Sequence, residues 1–167
     1  NFLNHFSLGV INFHPSPLPL NRGCHSAFWG IYNNTNHGST MHFMDKNWDW
    51  GAIIDKLTFP NRDDYFAEYI FKKSRTCSLM LLQKNLKKMR DGNFKNLKKF
   101  TKKDLKRSNY NKKNDIKKVT NLNINQTIKV SKLWRLIKAT KFGNNGYYIN
   151  SGKNRYLIRN NIQKQKK

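Results

Sequence analysis

The 167 residues suffice for one domain, or for one domain with an appendage, that buries its own core. No apolar run approaches the ~20 residues that span a bilayer, so we expect no membrane partner, and we expect no signal peptide. The two cysteines are too few for a disulfide framework and lack metal-ligand neighbours, so we expect a cytoplasmic protein with no metal site. The net charge of +24 comes from residues 71–167, which carry +26 against −2 for residues 1–70; a solvated lysine-rich surface is the favoured explanation, and a patch that binds nucleic-acid phosphates is the alternative.

The first part of the chain predicts three strands and a short helix. LGVINFH (8–14) is typical of a short buried strand, and a loop with three prolines follows it. HSAFWGIYNN (25–34) predicts the helix. GSTMHFMD (38–45) and AIIDKLTF (52–59) predict two further strands, joined by the loop KNWDWG (46–51).

A long helix follows the strands. Asp63 is a candidate N-cap for a helix that continues to Asp91 and ends at Gly92. Its predicted apolar stripe consists of Phe66, Ile70, Cys77, Met80 and Leu81.

The remaining chain divides into a connector and a small appended module. Residues 93–125 are polar, rich in Lys and Asn and without strong periodicity, which predicts an irregular connector. VSKLWRLIKAT (130–140) predicts a helix, and GYYINSGKNRYLI (146–158) predicts a hairpin. We therefore expect a domain over 1–92, the connector over 93–125, and a helix-plus-hairpin appendage with a basic tail over 126–167.

Asn12 and His14 are the residues of the first strand best suited to chemistry. Two positions apart on a strand, they leave the same face with Cα atoms ~7 Å apart, and Pro15 ends the strand directly after them. In an open α/β sheet, ligands bind at the carboxyl ends of strands. A carboxamide can donate to a developing oxyanion and an imidazole can exchange a proton near neutral pH, so the pair is a candidate acyl- or proton-transfer site.

Asp49 has the most unusual setting of the nine acidic residues. It lies between Trp48 and Trp50, whose rings could exclude water and strengthen its effect on a nearby imidazole. A catalytic histidine usually needs such an orienting acid. The residues alone leave an alternative open, in which Asn12 and His14 cap a turn and Asp49 forms an Asx turn.

Two motifs, in order along the chain, resemble the signature of the formyltransferase family that uses 10-formyltetrahydrofolate. NFHPSPLPLNRG (12–23) is similar to Asn-x-His-Pro-Ser-x-Leu-Pro-x-x-x-Gly. GSTMHFMD (38–45) and DWGAII (49–54) are similar to Gly-x-Thr-x-His-x-x-Asp and Asp-x-Gly-x-Ile-Ile. The resemblance implies an α/β fold: the C-terminal part of a Rossmann-like catalytic domain, with a mostly parallel sheet flanked by helices, plus a small α+β appendage.

The resemblance also implies a role for each matching residue. A substrate amine attacks the formyl carbon of the folate while Asn12 holds the oxyanion, His14 moves the proton and Asp49 orients His14, with no metal and no covalent enzyme intermediate. The residues expected to bind the 10-formyltetrahydrofolate are Met44, Asp45, Trp48 and Asp49, and those expected to bind the acceptor are Ser16, Arg22, Gly23 and His25.

The stretch after Arg22-Gly23 bears on the acceptor. It reads CHSAFW, without the proline that the methionyl-tRNA enzymes tend to carry, so the resemblance favours the amino group of a nucleotide-linked amino sugar. Methionyl-tRNA formyltransferase, with the basic second half on the tRNA, is one alternative, and a non-catalytic remnant of the family is another. Assembly as a homodimer is left open. Family members carry a Rossmann-like half before the Asn-x-His strand, so we expect residues 1–92 to form the C-terminal half of the catalytic domain.

Overall fold

The structure is a computed structural model that describes residues 2–95, 97–142 and 145–159. In chain order its elements are a 3-10 helix (Phe2–His5), β1 (Ile11–His14), β2 (Arg22–Gly23), α1 (Ser26–Tyr32), β3 (His37–Phe43), β4 (Ile53–Phe59), α2 (Ala67–Arg90), α3 (Lys102–Arg107), β5 (Tyr110–Asn111), α4 (Ile116–Thr120), β6 (Asn121–Asn123), α5 (Val130–Thr140), β7 (Tyr147–Ser151) and β8 (Asn154–Ile158). The mixture of strands and helices is the predicted α/β class.

A three-stranded sheet in the order β1-β3-β4 carries the proline-rich loop at its edge. Both pairs are antiparallel: Asn12 lies opposite His42 in the first pair, and Gly38 lies opposite Thr58 in the second. The sequence analysis predicts mostly parallel strands, and this part of the chain differs from that prediction. The connection from β3 to β4 is a short loop, whereas parallel neighbours need a crossover of a dozen or more residues.

Helices α1, α2 and α5 pack on one another, and α2 also packs on the sheet through β3 and β4. Their apolar faces meet in one core, which explains why these segments fold as helices, including α2, whose outer face carries many lysines. The buried core residues are Phe28, Trp29, Ile31, Phe59, Ala67, Ile70, Leu136, Ala139 and Tyr147.

Helix α2 covers the predicted long helix but begins later. Its first residue is Ala67, and Phe66 occupies the N-cap position without a side-chain capping bond, so the prediction of Asp63 as N-cap is wrong. Asp63 instead lies in an exposed turn, where its Oδ1 accepts a hydrogen bond from Lys138 Nζ at 3.4 Å. Of the predicted apolar stripe, Ile70 and Leu81 are fully buried, Phe66 and Cys77 are half-buried, and Met80 is exposed.

Residues 93–125 contain regular elements where an irregular connector is predicted. Helix α3 begins with a capping box between Thr101 and Asp104. Strand β5 pairs in parallel with β2, and β6 pairs in parallel with β7. This segment therefore contacts both the proline-rich loop and the C-terminal hairpin, and the division of the chain at 92 and 125 stays a prediction.

The C-terminal module follows the sequence pattern closely. Helix α5 spans the predicted residues 130–140, and β7 and β8 form the predicted hairpin, with Ser151 opposite Asn154. Residues 160–167 of the predicted basic tail lie outside the described residues. No described helix combines the length and the apolar character needed to cross a membrane.

Candidate active site

Strand β1 delivers Asn12 and His14 to one face of the sheet. The pairing of β1 with β3 fixes both positions, with Asn12 opposite His42 and His14 opposite Thr40. His14 is almost fully buried, with 4% of its surface exposed. Because Pro15 has no backbone N–H to continue the ladder, the strand ends at His14 and leaves both side chains at its carboxyl end.

Asp49 comes from the loop between β3 and β4. It has a φ of 50°, a left-handed conformation that Asp adopts more readily than most residues. Arg22 contacts this loop on both sides of Asp49. Its Nη2 and Nε donate to the carbonyl oxygen of Trp48 at 2.8 and 3.1 Å. Its guanidinium lies 4.3 Å from the ring centre of Trp50. Trp50 in turn stacks on Phe100 with ring centres 4.3 Å apart. The loop is therefore anchored on both sides of Asp49.

The Asp49 carboxylate contacts both Asn12 and His14. Its Oδ1 accepts a hydrogen bond from Asn12 Nδ2 at 3.3 Å, and its Oδ2 accepts one from the backbone N–H of Gly23 at 2.8 Å. The Nδ1 atom of His14 lies 3.4 Å from Oδ2. The three residues predicted to be catalytic thus converge, although they come from a strand and a loop that are 35 residues apart in sequence.

The surroundings of His14 determine which of its nitrogens carries the proton. Nε2 lies 2.9 Å from the carbonyl oxygen of Asn21, which can only accept a hydrogen bond, so the proton of the neutral ring is on Nε2. Nδ1 is then the basic atom, and it is on the Asp49 side. Burial lowers the pKa of His14 below its ordinary value of 6.5, and the Asp49 carboxylate and the Asn21 carbonyl offset part of this effect. His14 is therefore a neutral base at physiological pH.

His42 belongs to the site and was assigned no role in the sequence analysis. It is buried, with 1% of its surface exposed, and its Nδ1 donates to the carbonyl oxygen of Phe43 at 2.8 Å. Its Nε2 is therefore free to accept from Asn12 Nδ2 at 3.2 Å. Burial lowers the pKa of His42, which keeps Nε2 an acceptor. The signal in the sequence was the His of the Gly-x-Thr-x-His-x-x-Asp motif, and the antiparallel pairing of β1 with β3 places it opposite Asn12.

The residues predicted to bind the acceptor are placed differently from one another. Gly23 lies beside Asp49, and Arg22 directs Nε, Nη1 and Nη2 to Trp48 and Ser108. Ser16 is buried, and its hydroxyl donates to the carbonyl oxygen of Leu20 at 3.0 Å. His25 is exposed at the start of α1, with a φ of 60°. Their roles in binding stay predictions.

The residues predicted to bind the folate form an exposed surface next to Asp49. Trp48 is 70% exposed and Met44 is 38% exposed, so both offer apolar surface to a ligand. Asp45 is also exposed, and its Oδ1 accepts from the backbone N–H of Asn47 at 2.7 Å. The described residues contain no group of three or more His, Cys, Asp or Glu arranged to hold a metal ion.

A cavity of about 530 Å³ adjoins the site, within the ~300–1,000 Å³ typical of small-molecule pockets. Pro15, which follows His14, and Gly23, which donates to Asp49, both border it. His25 also lines it, and none of its described lining residues is acidic. Its aromatic and cationic lining residues are Phe28, Phe71, Phe142, Tyr148, Lys117 and Arg159.

Comparisons with known proteins bear on the family and the fold of the chain. The model of the formyl transferase family matches residues 1–86. The GDP-perosamine N-formyltransferase of Brucella melitensis is 32% identical over 95 residues, which are 55% of this chain and 36% of that protein. The chain thus spans about a third of the length of this curated relative.

Solved structures show the same fold. The sugar N-formyltransferase from Shewanella sp FDAARGOS_354 superposes with a TM-score of 0.79 at 25% identity, over 93% of this chain and 62% of that one. WlaRD, a sugar 3N-formyl transferase solved in the presence of dTDP and 5-N-formyl-THF, superposes with a TM-score of 0.70 at 27% identity, over 80% of this chain and 47% of that one. These likenesses confirm the Rossmann-like α/β fold class.

Proposed function

Because the chain belongs to the formyl transferase family, as its motifs indicated, we propose that it transfers a formyl group from 10-formyltetrahydrofolate to the amino group of a nucleotide-linked amino sugar. The observation that carries the proposal is the convergence of Asn12 and His14 on the carboxylate of Asp49, at 3.3 and 3.4 Å. A donor amide, a neutral base and a carboxylate at these distances are the groups that acyl transfer to an amine requires.

His14 acts as the proton carrier in this proposal. Its Nδ1 accepts the proton that the amine loses as the amine nitrogen bonds to the formyl carbon. It returns that proton to the donor nitrogen as the old carbon–nitrogen bond breaks. Between these steps His14 is an imidazolium, and Asp49 Oδ2 at 3.4 Å stabilises its charge.

Asn12 stabilises the charge on the formyl oxygen. Its Nδ2 donates to Asp49 and to His42, and one of these N–H groups turns to the oxygen as negative charge develops there. His42 keeps the amide in the donating orientation, because its Nε2 can only accept in the tautomer fixed by Phe43.

The donor fits the exposed surface of the loop after β3. When bound, it supplies the formyl carbon. Trp48 and Met44 would cover its apolar ring system and Asp45 would accept hydrogen bonds from its ring nitrogens, while Asp49 would contact it from the catalytic side. The presence of 5-N-formyl-THF in the WlaRD structure supports a folate-derived donor.

The acceptor fits the cavity beside Gly23. Its aromatic rings suit a nucleobase, and Lys117 and Arg159 suit the phosphates, since none of the described lining residues is acidic. The relatives' activities on GDP-perosamine and on sugars support an amino sugar as the group that reaches Asp49. A cytoplasmic location and a homodimer stay predictions.

Formyl transfer by the protein that contains these 167 residues, followed by mass spectrometry of the acceptor, tests the proposal. We expect formylation of nucleotide-linked amino sugars and not of methionyl-tRNA. His14→Gln should lower kcat by roughly 10²–10⁴-fold, the contribution of a positioned base. Lys103→Gln, on the exposed face of α3, should leave kcat unchanged. Transfer to methionyl-tRNA alone would overturn the acceptor, and transfer that is insensitive to His14→Gln would overturn the site.

A further inference from the structure

We propose that Asn109 is a positioning residue of the active site, which fixes the protonated nitrogen of His14 through hydrogen bonds to Asn21. The consequence for catalysis rests on the function proposed above, whereas the effect on His14 itself does not. Asn109 lies in the segment predicted as a connector and outside residues 1–86, which match the family model.

The side chain of Asn109 makes two hydrogen bonds to Asn21. Its Oδ1 accepts the backbone N–H of Asn21 at 2.6 Å, and its Nδ2 donates to Asn21 Oδ1 at 3.0 Å. Asn21 is 1% exposed, so water cannot replace these partners. Thr35 Oγ1 accepts from Asn21 Nδ2 at 3.2 Å and completes the set.

These hydrogen bonds matter because Asn21 has a backbone conformation outside the ordinary regions. Its φ is 53°, in the left-handed region, which Asn adopts more readily than most residues. The hydrogen bonds from Asn109 stabilise Asn21 further in this conformation. In that conformation the Asn21 carbonyl points at His14 Nε2.

The carbonyl of Asn21 decides the tautomer of His14. With the carbonyl 2.9 Å from Nε2, the proton is on Nε2 and the lone pair is on Nδ1, beside Asp49. If Asn21 relaxed to an ordinary backbone conformation, this carbonyl would turn away. The proton would then move to Nδ1, where the Asp49 carboxylate attracts it, and Nδ1 would no longer be a base.

The strand pair around Asn109 keeps it in place. The carbonyl oxygen of Asn109 accepts the backbone N–H of Arg22 at 3.1 Å, and that of Asn111 accepts the N–H of Cys24 at 2.8 Å. The Arg22 N–H and the Asn21 carbonyl belong to one planar peptide group, so this backbone bond and the Asn109 side chain jointly hold that carbonyl toward His14. A substitution of Asn109 therefore removes the side-chain part of this support and leaves the backbone part.

The test is nuclear magnetic resonance of the chain labelled with ¹⁵N in its histidine rings. In the wild type we expect a His14 spectrum of the Nε2–H tautomer. In Asn109→Ala we expect a mixture of the two tautomers, because the backbone bond to Arg22 still supports the Asn21 carbonyl. In Asn109→Asp, which keeps the acceptor for the Asn21 N–H but loses the donor, we expect a smaller change in the same direction. Asn114→Ala, at an exposed position of the same segment, should leave His14 unchanged.

Kinetics then separate positioning from substrate binding. In the active enzyme Asn109→Ala should lower kcat, by up to roughly 100-fold, with the KM of both substrates little changed. A folded Asn109→Ala chain with the wild-type His14 tautomer would overturn the proposal. If that variant does not fold, a folded Asn109→Asp chain with the wild-type tautomer would overturn it equally. Both measurements of the His14 tautomer are made without substrate. Absence of formyl transfer would therefore overturn only the proposed function.

Discussion

Replacement of Gly23 by alanine should damage the active site through a steric clash of about 1 Å. Gly23 has a φ of 82°, and a Cβ there would lie 2.3 Å from the carbonyl oxygen of Asn111, where ordinary contact begins at 3.4 Å. Alanine at positive φ costs about 1–2 kcal/mol, and the overpacking adds about 1–3 kcal/mol. Together these terms predict a loss of roughly 2–5 kcal/mol and a fall in Tm of roughly 4–20 °C.

The same shift should also separate the backbone N–H of Gly23 from Asp49 Oδ2, now at 2.8 Å. A displacement of this size in an active site lowers kcat by about 100-fold.

Gly152→Ala is the matched control for this substitution. Gly152 also has a positive φ, of 56°, but nothing lies within 4 Å of its Cβ position. It should cost only the backbone term of about 1–2 kcal/mol and leave kcat unchanged. The measurements are thermal unfolding and formyl transfer by both variants. Equal losses of Tm and equal activities in Gly23→Ala and Gly152→Ala would refute the idea that the contact of β2 with β5 positions the carboxylate of Asp49.

Two further predictions concern buried ionisable side chains. Burial lowers the pKa of His37 from 6.5 to about 4, so the unfolded chain binds this proton first as the pH falls. The stability due to His37 is complete above pH 6.5 and is lost toward pH 4, by about 3 kcal/mol. His37→Gln should therefore flatten the dependence of urea unfolding on pH in this range, leaving the part due to His14 and His42; an unchanged slope would contradict the assignment. Lys138 is 1% exposed, and its Nζ lies 3.4 Å from Asp63. Lys138→Met should be neutral or stabilising in urea unfolding, whereas Lys138→Ala should cost about 2–5 kcal/mol, and equal losses would show that the charge itself is needed.

The convergence of the three candidate catalytic residues could be expected because they lie in short motifs. Asn12 and His14 share a strand face by alternation alone, and Pro15 marks the end of that strand. Asp49 was singled out by its place between Trp48 and Trp50, and the family resemblance linked it to Asn12 and His14, since no local pattern links a loop residue to a strand 35 positions away. Its convergence with Asn12 at 3.3 Å is a property of the fold.

The supporting residues could not be predicted in the same way. His42 acts through its position opposite Asn12, which requires the strand register. Asn21 acts through its backbone carbonyl, so its side-chain type gave no signal of that role. Asn109 is one of many asparagines in a segment without periodicity, and only the pairing of β5 with β2 singles it out.

The fold was predicted best where the pattern was strongest. Helix α5 matches its apolar spacing over all of 130–140, because that spacing directly determines its buried face. The order and direction of strands depend on connections rather than on local pattern, and the antiparallel pairing of β3 with β4 follows from the short loop between them. The N-cap at Asp63 failed because a turn and the contact with Lys138 compete for the same residue.

Part of the basic second half of the chain contacts and supports the proline-rich loop. Three backbone N–H groups of the proline-rich loop, those of Asn21, Arg22 and Cys24, find their acceptors on Asn109 and Asn111. A buried donor without its acceptor costs about 1–3 kcal/mol, so a domain that ended at residue 92 would leave this loop without much of its stabilisation. The loop carries both the carbonyl that orients His14 and the N–H that contacts Asp49. The hydrogen bonds that support this loop therefore extend to Asn111, beyond the predicted boundary at residue 92.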